Sequence, residues 1–218
     1  MTSPTPPAEP TYADRTFRSS AGIVGGVLLL LFICWLGADA LVRGHGRTPW
    51  LALAGLLTVV PLVVAFSVRP AVLANDRRIR IRNPFRTITL PWTEVADVRA
   101  GYSSELFTED GTKYQMWSVP VSLRQRKSAA RQQTRDAATD PRGRTSGVAD
   151  VRDSKSRMAP ADRTMADLRE MAERAKAVAS ASGASEASEA PGSVRWAYEV
   201  IAPAVAGVVL FVVLLATG

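Results

Sequence analysis

Residues 75–100 read NDRRIRIRNPFRTITLPWTEVADVRA, and this stretch decides what kind of fold the chain carries. Arg78-Ile79-Arg80-Ile81-Arg82 alternates strictly, which is the pattern of a strand with one apolar and one charged face. Asn83-Pro84 is a turn dipeptide. Thr87-Ile88-Thr89-Leu90 alternates again, so the two runs form a hairpin. Pro91 ends the second strand, and Trp92 is placed to anchor the corner in a core. Glu94 to Gly101 reads as a further strand, in which Val95 and Val98 are out of step unless a bulge lies between them. Leu106-Phe107 and Tyr114 to Val119 flank Asp110-Gly111, a strong hairpin signal. Val119 to Leu123 adds one more strand to this expectation. The sum over 70–124 is a small antiparallel sheet structure of about five to seven strands in about 55 residues.

On either side of this domain the sequence turns apolar. The hydrophobic fraction of the 218 residues is 47%, but it is gathered into three blocks: 21–42, 50–68 and 196–217. Block one has no charge before Asp39, block two has none, and block three has only Glu199. Crossing a bilayer takes about 20 residues at about 1.5 Å each, and only a helix satisfies its own backbone there. All three blocks are therefore expected to be transmembrane helices. Ala38-Asp39-Ala40 resembles a signal-peptide cleavage site, but an apolar run of about 18 residues exceeds the usual signal core.

The arginines fix the expected orientation. Arg69, Arg77, Arg78, Arg80 and Arg82 follow block two, whereas the 43–49 link carries only Arg43 and Arg47. The positive side is cytoplasmic. The tail 1–20 and the long link are then inside, and the His45 link and the C-terminus outside, in a multi-pass plasma-membrane protein. Trp50, Trp196 and Tyr198 fall where an interfacial aromatic belt would. Asp39 and Glu199 would lie near opposite surfaces, which suits interfacial side chains better than a relay. Gly22 and Gly26 have the spacing of a close helix contact, and Pro61 and Pro203 favour helices packed together.

The rest of the long link is different. Residues 125–160 carry charges of both signs and few large apolar groups, so they read as a disordered linker. A basic helix is expected at its start, over Ser122 to Arg135. In 161–181, Met165, Leu168, Met171, Ala172, Ala175 and Val178 share one helical face. Thr164 and Asp167 resemble a capping box, and Arg169 with Glu173 and Glu170 with Arg174 are i,i+4 pairs. This amphipathic helix has three open placements: on the sheet, on a partner, or exposed alone. Residues 182–195 read as a flexible tether, and 1–20 as a disordered tail.

Composition excludes several classes. One Cys, in an apolar run, is no disulfide framework. One His and one Cys make no structural zinc site. No nucleophile elbow, P-loop or HExxH occurs. Neither an enzymatic activity nor a cofactor is expected.

The stretch from Val72 to Pro120 resembles the PH-like domains of actinobacterial low-molecular-weight protein antigens. The residues that carry the resemblance are Ile79, Ile81, Arg82 and Asn83 in the first strand, then Pro91, Trp92, Glu94 and Val95, with the Asp110-Gly111 hairpin after them. Membrane-anchored members with this domain between the second and third helix look like the whole chain, including the Arg195 to Gly207 entry. The resemblance implies a partly open barrel capped by a C-terminal helix, and a bacterial, Gram-positive type envelope. It implies no catalytic activity. A departure is that no apolar helix follows the last strand directly, so the 161–181 helix would have to serve as the cap.

The net charge is +7, carried by 23 Arg and 4 Lys, and 69–127 alone holds 11 basic against 6 acidic residues. Arg78, Arg80 and Arg82 project from one strand face, and Arg86 and Lys113 are grouped with them as candidate contact residues. Arg77, Arg124, Arg126 and Lys127 add to the same charge. The leading expectation is a membrane-tethered adaptor that docks a protein partner at an exposed sheet edge. The alternative is binding of anionic lipid headgroups at the cytoplasmic leaflet. Membrane tethering argues against nucleic acid. Three helices without paired inward charges do not build a transport path in one chain; a homo-oligomer stays open.

Overall fold

The computed structural model describes residues 15–122, 158–182 and 191–217, together with Arg124, Lys127, Ser128, Ala130, Arg131 and Thr134. In chain order these form β1 (Arg15–Phe17), α1 (Ser20–Arg43), α2 (Thr48–Val63, continued by a π turn over Val64–Val68), β2 (Ala71–Ala74), β3 (Arg78–Arg82), β4 (Arg86–Pro91), a 3-10 turn (Trp92–Glu94), β5 (Val95–Ala100), β6 (Ser104–Thr108), β7 (Lys113–Gln115), α3 (Pro160–Ser182), β8 (Ser193–Trp196) and α4 (Tyr198–Ala216).

The three apolar blocks are helices, each long and apolar enough to cross a membrane. The central one, α2, packs against both α1 and α4. Glycines allow the approach. A Cβ on Gly207 of α4 would stand 2.7 Å from the Thr58 backbone nitrogen and 2.9 Å from the Ala54 carbonyl of α2. One on Gly26 would stand 2.8 Å from Ser67 Oγ. The Gly22/Gly26 face of α1 thus meets the end of α2, as its spacing suggested.

The β domain contains two antiparallel sheets, ordered β1-β2-β3-β4-β8 and β5-β6-β7. The expected hairpin pairs Ile79 with Leu90 and Ile81 with Ile88. The expected bulge lies between Val95 and Asp97. At the Asp110-Gly111 turn Gly111 adopts φ +83, a conformation that suits glycine, while the Asp110 carboxylate accepts from the Thr112 amide at 3.0 Å. Trp92 is 1% exposed and donates its indole N–H to the Asn75 carbonyl at 2.6 Å.

The amphipathic helix docks. Met165, Leu168, Met171 and Ala172 of α3 join Ile79, Ile81, Ile88, Trp92, Val98 and Leu106 in one core. Arg169 reaches across to the Val98 carbonyl at 2.7 Å, while Glu170 and Arg174 pair at 2.6 Å. The capping box is corrected: α3 begins at Pro160, and the Thr164 hydroxyl donates to the Pro160 carbonyl from inside the helix. Proline suits a first helical position because its missing N–H would have had no partner there.

Three further expectations are corrected. Residues 15–17, assigned to a disordered tail, are β1 and pair with β2. Residues 193–196, assigned to the tether and the start of the third helix, are β8 and pair with β4. Residues 119–122 form no strand; Val119 is buried in the core, and its carbonyl accepts from the buried Ser104 hydroxyl at 2.8 Å. The described residues between 124 and 134 are helical, as the basic helix predicts. The linker from 135 to 157 and the segment 183–190 lie outside the described residues.

Candidate interaction face

The five-stranded sheet turns Ile79, Ile81, Ile88 and Leu90 into the core. Strand alternation therefore turns Arg78, Arg80, Arg82, Thr87 and Thr89 to the outer face. Register extends this face sideways. Leu73, Arg80, Thr89 and Ser193 form one row across β2, β3, β4 and β8, and Ala71, Arg82, Thr87 and Arg195 form the next. Among the described residues, no carboxylate lies within ion-pair distance of Arg78, Arg80, Arg82 or Arg195.

One end of this face is fastened to the apolar helices. Arg69, just past α2, donates to the Asn83 carbonyl at 2.6 Å, to Thr87 Oγ1 at 3.4 Å and to Glu199 of α4 at 2.7 Å. The Asn83 side-chain amide donates to the Gln115 carbonyl at 2.8 Å, and its oxygen accepts from the Trp117 amide. Phe66 of the π turn meets the rings of Phe85 and Trp117 edge-on, with centroids 5.3 and 5.5 Å apart. The Ala197 amide donates to the Phe85 carbonyl at 2.8 Å. The β3–β4 turn is thus held by the ends of α2 and α4 together.

The five candidate residues do not form one group. Arg78, Arg80 and Arg82 share the outer face. Arg86 has the parity of Ile88 and Leu90 and lies over the Tyr114 ring, 5.9 Å from its centroid. Lys113 belongs to the other sheet and pairs with Glu105 at 3.4 Å. Sequence reasoning missed Arg195 as a member of the face. Its signal is the sequence Ser193-Val194-Arg195-Trp196, which spans the end of the expected tether and the start of the third apolar block.

Asp97, Glu105, Glu109 and Asp110 lie on the second sheet and its turn, and Asp76 lies in the β2–β3 turn of the first. The Arg99 guanidinium holds the Asp97 carboxyl below its ordinary value. A hydrogen bond from Ser103 does the same for Glu105, and one from Thr108 for Asp110. Lys176 of α3 pairs with Glu109 at 3.1 Å. Each of the four on the second sheet is engaged in a turn, a ladder or a helix contact, while the outer face of β3 shows arginines.

A sequence model of the family described as "Bacterial PH domain" matches residues 69–181. The chain belongs to this family. The match begins at the arginine that fastens the domain and ends with the docked helix α3, so helix and sheets make up the bacterial PH domain together. Strands β1 and β8 fall outside the matched stretch. The PH domain's sheet is therefore completed on both edges by the segments that lead into α1 and α4. No curated protein and no solved structure matches the chain.

Proposed function

We propose that this chain is an integral membrane protein whose bacterial PH domain is a non-enzymatic interaction module, and that the outer face of the five-stranded sheet docks an acidic surface of a partner protein. The observation that carries this reading is the outer face of β3, where Arg78, Arg80 and Arg82 have no carboxylate within ion-pair distance among the described residues. The three apolar helices anchor the module, and the excess of arginines after α2 puts it on the cytoplasmic side of the plasma membrane.

Strand addition, the mode expected from sequence, would have to use β1 or β8, the strands of 3 and 4 residues that end this sheet, and so short an edge offers little length for pairing. A face remains, and its charge selects an acidic counterpart. Direction argues for a protein over a flat bilayer. Arg78 lies four residues further along β3 from the helix junction than Arg82, about 13 Å at strand spacing. Lipid headgroups are the second reading, favoured at the near end alone, where Arg82 and Arg195 sit beside Arg69 and Glu199.

The test places a photo-crosslinking residue at Ser193 on the exposed end of the face, with Tyr102 as the control position. In native membranes, protein adducts are expected at Ser193, and Arg78→Glu, Arg80→Glu and Arg82→Glu together should reduce them at least about tenfold. Adducts that survive this charge reversal, or adducts to lipid alone, would overturn the partner assignment.

A further inference from the structure

The chain carries an acidic segment of its own beside the arginine face. Residues 1–14, MTSPTPPAEPTYAD, lie outside the described residues and lead directly into β1. They hold Glu9 and Asp14 and no Lys or Arg, in a chain with 27 basic against 20 acidic residues.

Register sets where this segment meets the sheet. Phe17 packs against the core, so Thr16 is turned to the outer face. Thr16 pairs with Leu73, and Leu73 with Arg80, so Thr16 and Arg80 share one row of that face. Arg15 pairs with Ala74, and Ala74 with Ile79. The segment therefore enters β1 beside the Arg78 end of β3, away from the helix junction. Arg78 is exposed there, and Arg80 is half-buried. Two strand spacings, about 10 Å, separate Thr16 from Arg80. Glu9 precedes Thr16 by enough chain to reach about 23 Å when extended, and Asp14 stands closer still. Both carboxylates can reach the arginines of β3.

Chemistry favours this occupant. Arg78, Arg80 and Arg82 have no carboxylate within ion-pair distance among the described residues. Pro4, Pro6, Pro7 and Pro10 restrict the segment and lower the entropy lost when it lies along a surface. Attachment through β1 gives it an effective concentration of about a millimolar at the face, so weak, exposed ion pairs suffice. Segment 183–190 carries Glu186 and Glu189, but it is bound at both ends, by α3 and β8. Its exit is fixed near Glu94, whose carboxylate accepts from the Gly192 amide at 2.8 Å.

We propose that residues 1–14 dock across the outer face of β3, with Glu9 and Asp14 against Arg78 and Arg80, and withhold this face from its acidic partner. The docking stands on register and charge; the withholding rests on the partner reading above.

The experiment uses the full chain purified in detergent, with a photo-crosslinking residue in place of Tyr12, between the two carboxylates. Adducts within one chain are expected on residues 71–91. Glu9→Lys with Asp14→Lys should reduce them about fivefold at physiological salt. Arg78→Glu with Arg80→Glu should do the same. All four changes together should restore the adducts, which a loss of folding would not do. Adducts indifferent to both charge reversals, or not restored by the swap, would overturn the docking. In native membranes, with the photo-crosslinking residue at Ser193, Glu9→Lys with Asp14→Lys should raise partner adducts about threefold. No rise, or a rise only with Glu186→Lys and Glu189→Lys, would overturn the withholding. Partner adducts missing from every variant, with the adduct within the chain intact, would defeat the partner reading and leave the docking supported.

Discussion

Trp92→Ala is expected to raise the unfolded fraction of the PH domain by about a hundredfold or more while the three apolar helices keep their structure. The indole is 1% exposed and packs in the core shared by both sheets and α3. Truncating a buried aromatic costs about 3–5 kcal/mol. The Asn75 carbonyl loses its indole donor as well. A domain of this size has only about 5–15 kcal/mol to lose. Amide exchange measured on the full chain should show β3, β4 and β5 losing protection together. Trp92→Phe keeps most of the buried ring, and should show a smaller loss of the same kind. Protection in the alanine variant equal to wild type would mean that the core is not organised around this corner.

Arg69→Leu should loosen the join between the domain and the helices without unfolding either. The guanidinium is one of the better buried charges in the chain, with its side chain 15% exposed. It contributes charge-assisted hydrogen bonds to the β3–β4 turn and to α4. The Glu199 side chain is 64% exposed, so its share is small. The bond to the Asn83 carbonyl is the larger part, and the total loss is roughly 2 kcal/mol. Amides of β8 and of the 83–85 turn should exchange on the order of tenfold faster, while Val98 and Leu106 in the second sheet stay protected. Uniform loss across both sheets would show that Arg69 supports the core instead of the join.

Much of the domain was legible because alternation reports local geometry. In β3 each isoleucine stands between arginines, and only one register buries all the apolar side chains. The bulge at Val95 was legible for the same reason: two valines three residues apart had to reach one core. Helix α3 was legible from its stripe, but its docking was not, because the stripe suited the sheet, a partner or exposure alike and only the packed core decides between them.

What escaped was short and dependent on distant partners. Arg15-Thr16-Phe17 is too brief to show a period, and its ladder partner Val72 lies far along the chain. Ser193 to Trp196 is exposed throughout, so no buried face announced a strand. Both exist because β2 and β4 leave open edges where the apolar helices begin. The candidate site divided along the same line. Arg78, Arg80 and Arg82 were legible as one face because parity fixes direction. Arg86 was grouped with them by charge, although its parity with Ile88 placed it on the opposite side.

The proposed cytoplasmic PH domain on membrane-spanning helices is tested most directly by cysteine labelling. In a Cys34→Ala background, which removes the native thiol, His45→Cys and Tyr102→Cys each supply one exposed reporter. His45 joins α1 to α2, and Tyr102, 95% exposed, marks the β5–β6 turn. In intact cells a membrane-impermeant maleimide should label the His45→Cys chain, and should reach the Tyr102→Cys chain only after lysis. Labelling of both from outside, or of Tyr102→Cys alone, would contradict a cytoplasmic PH domain carried on spanning helices.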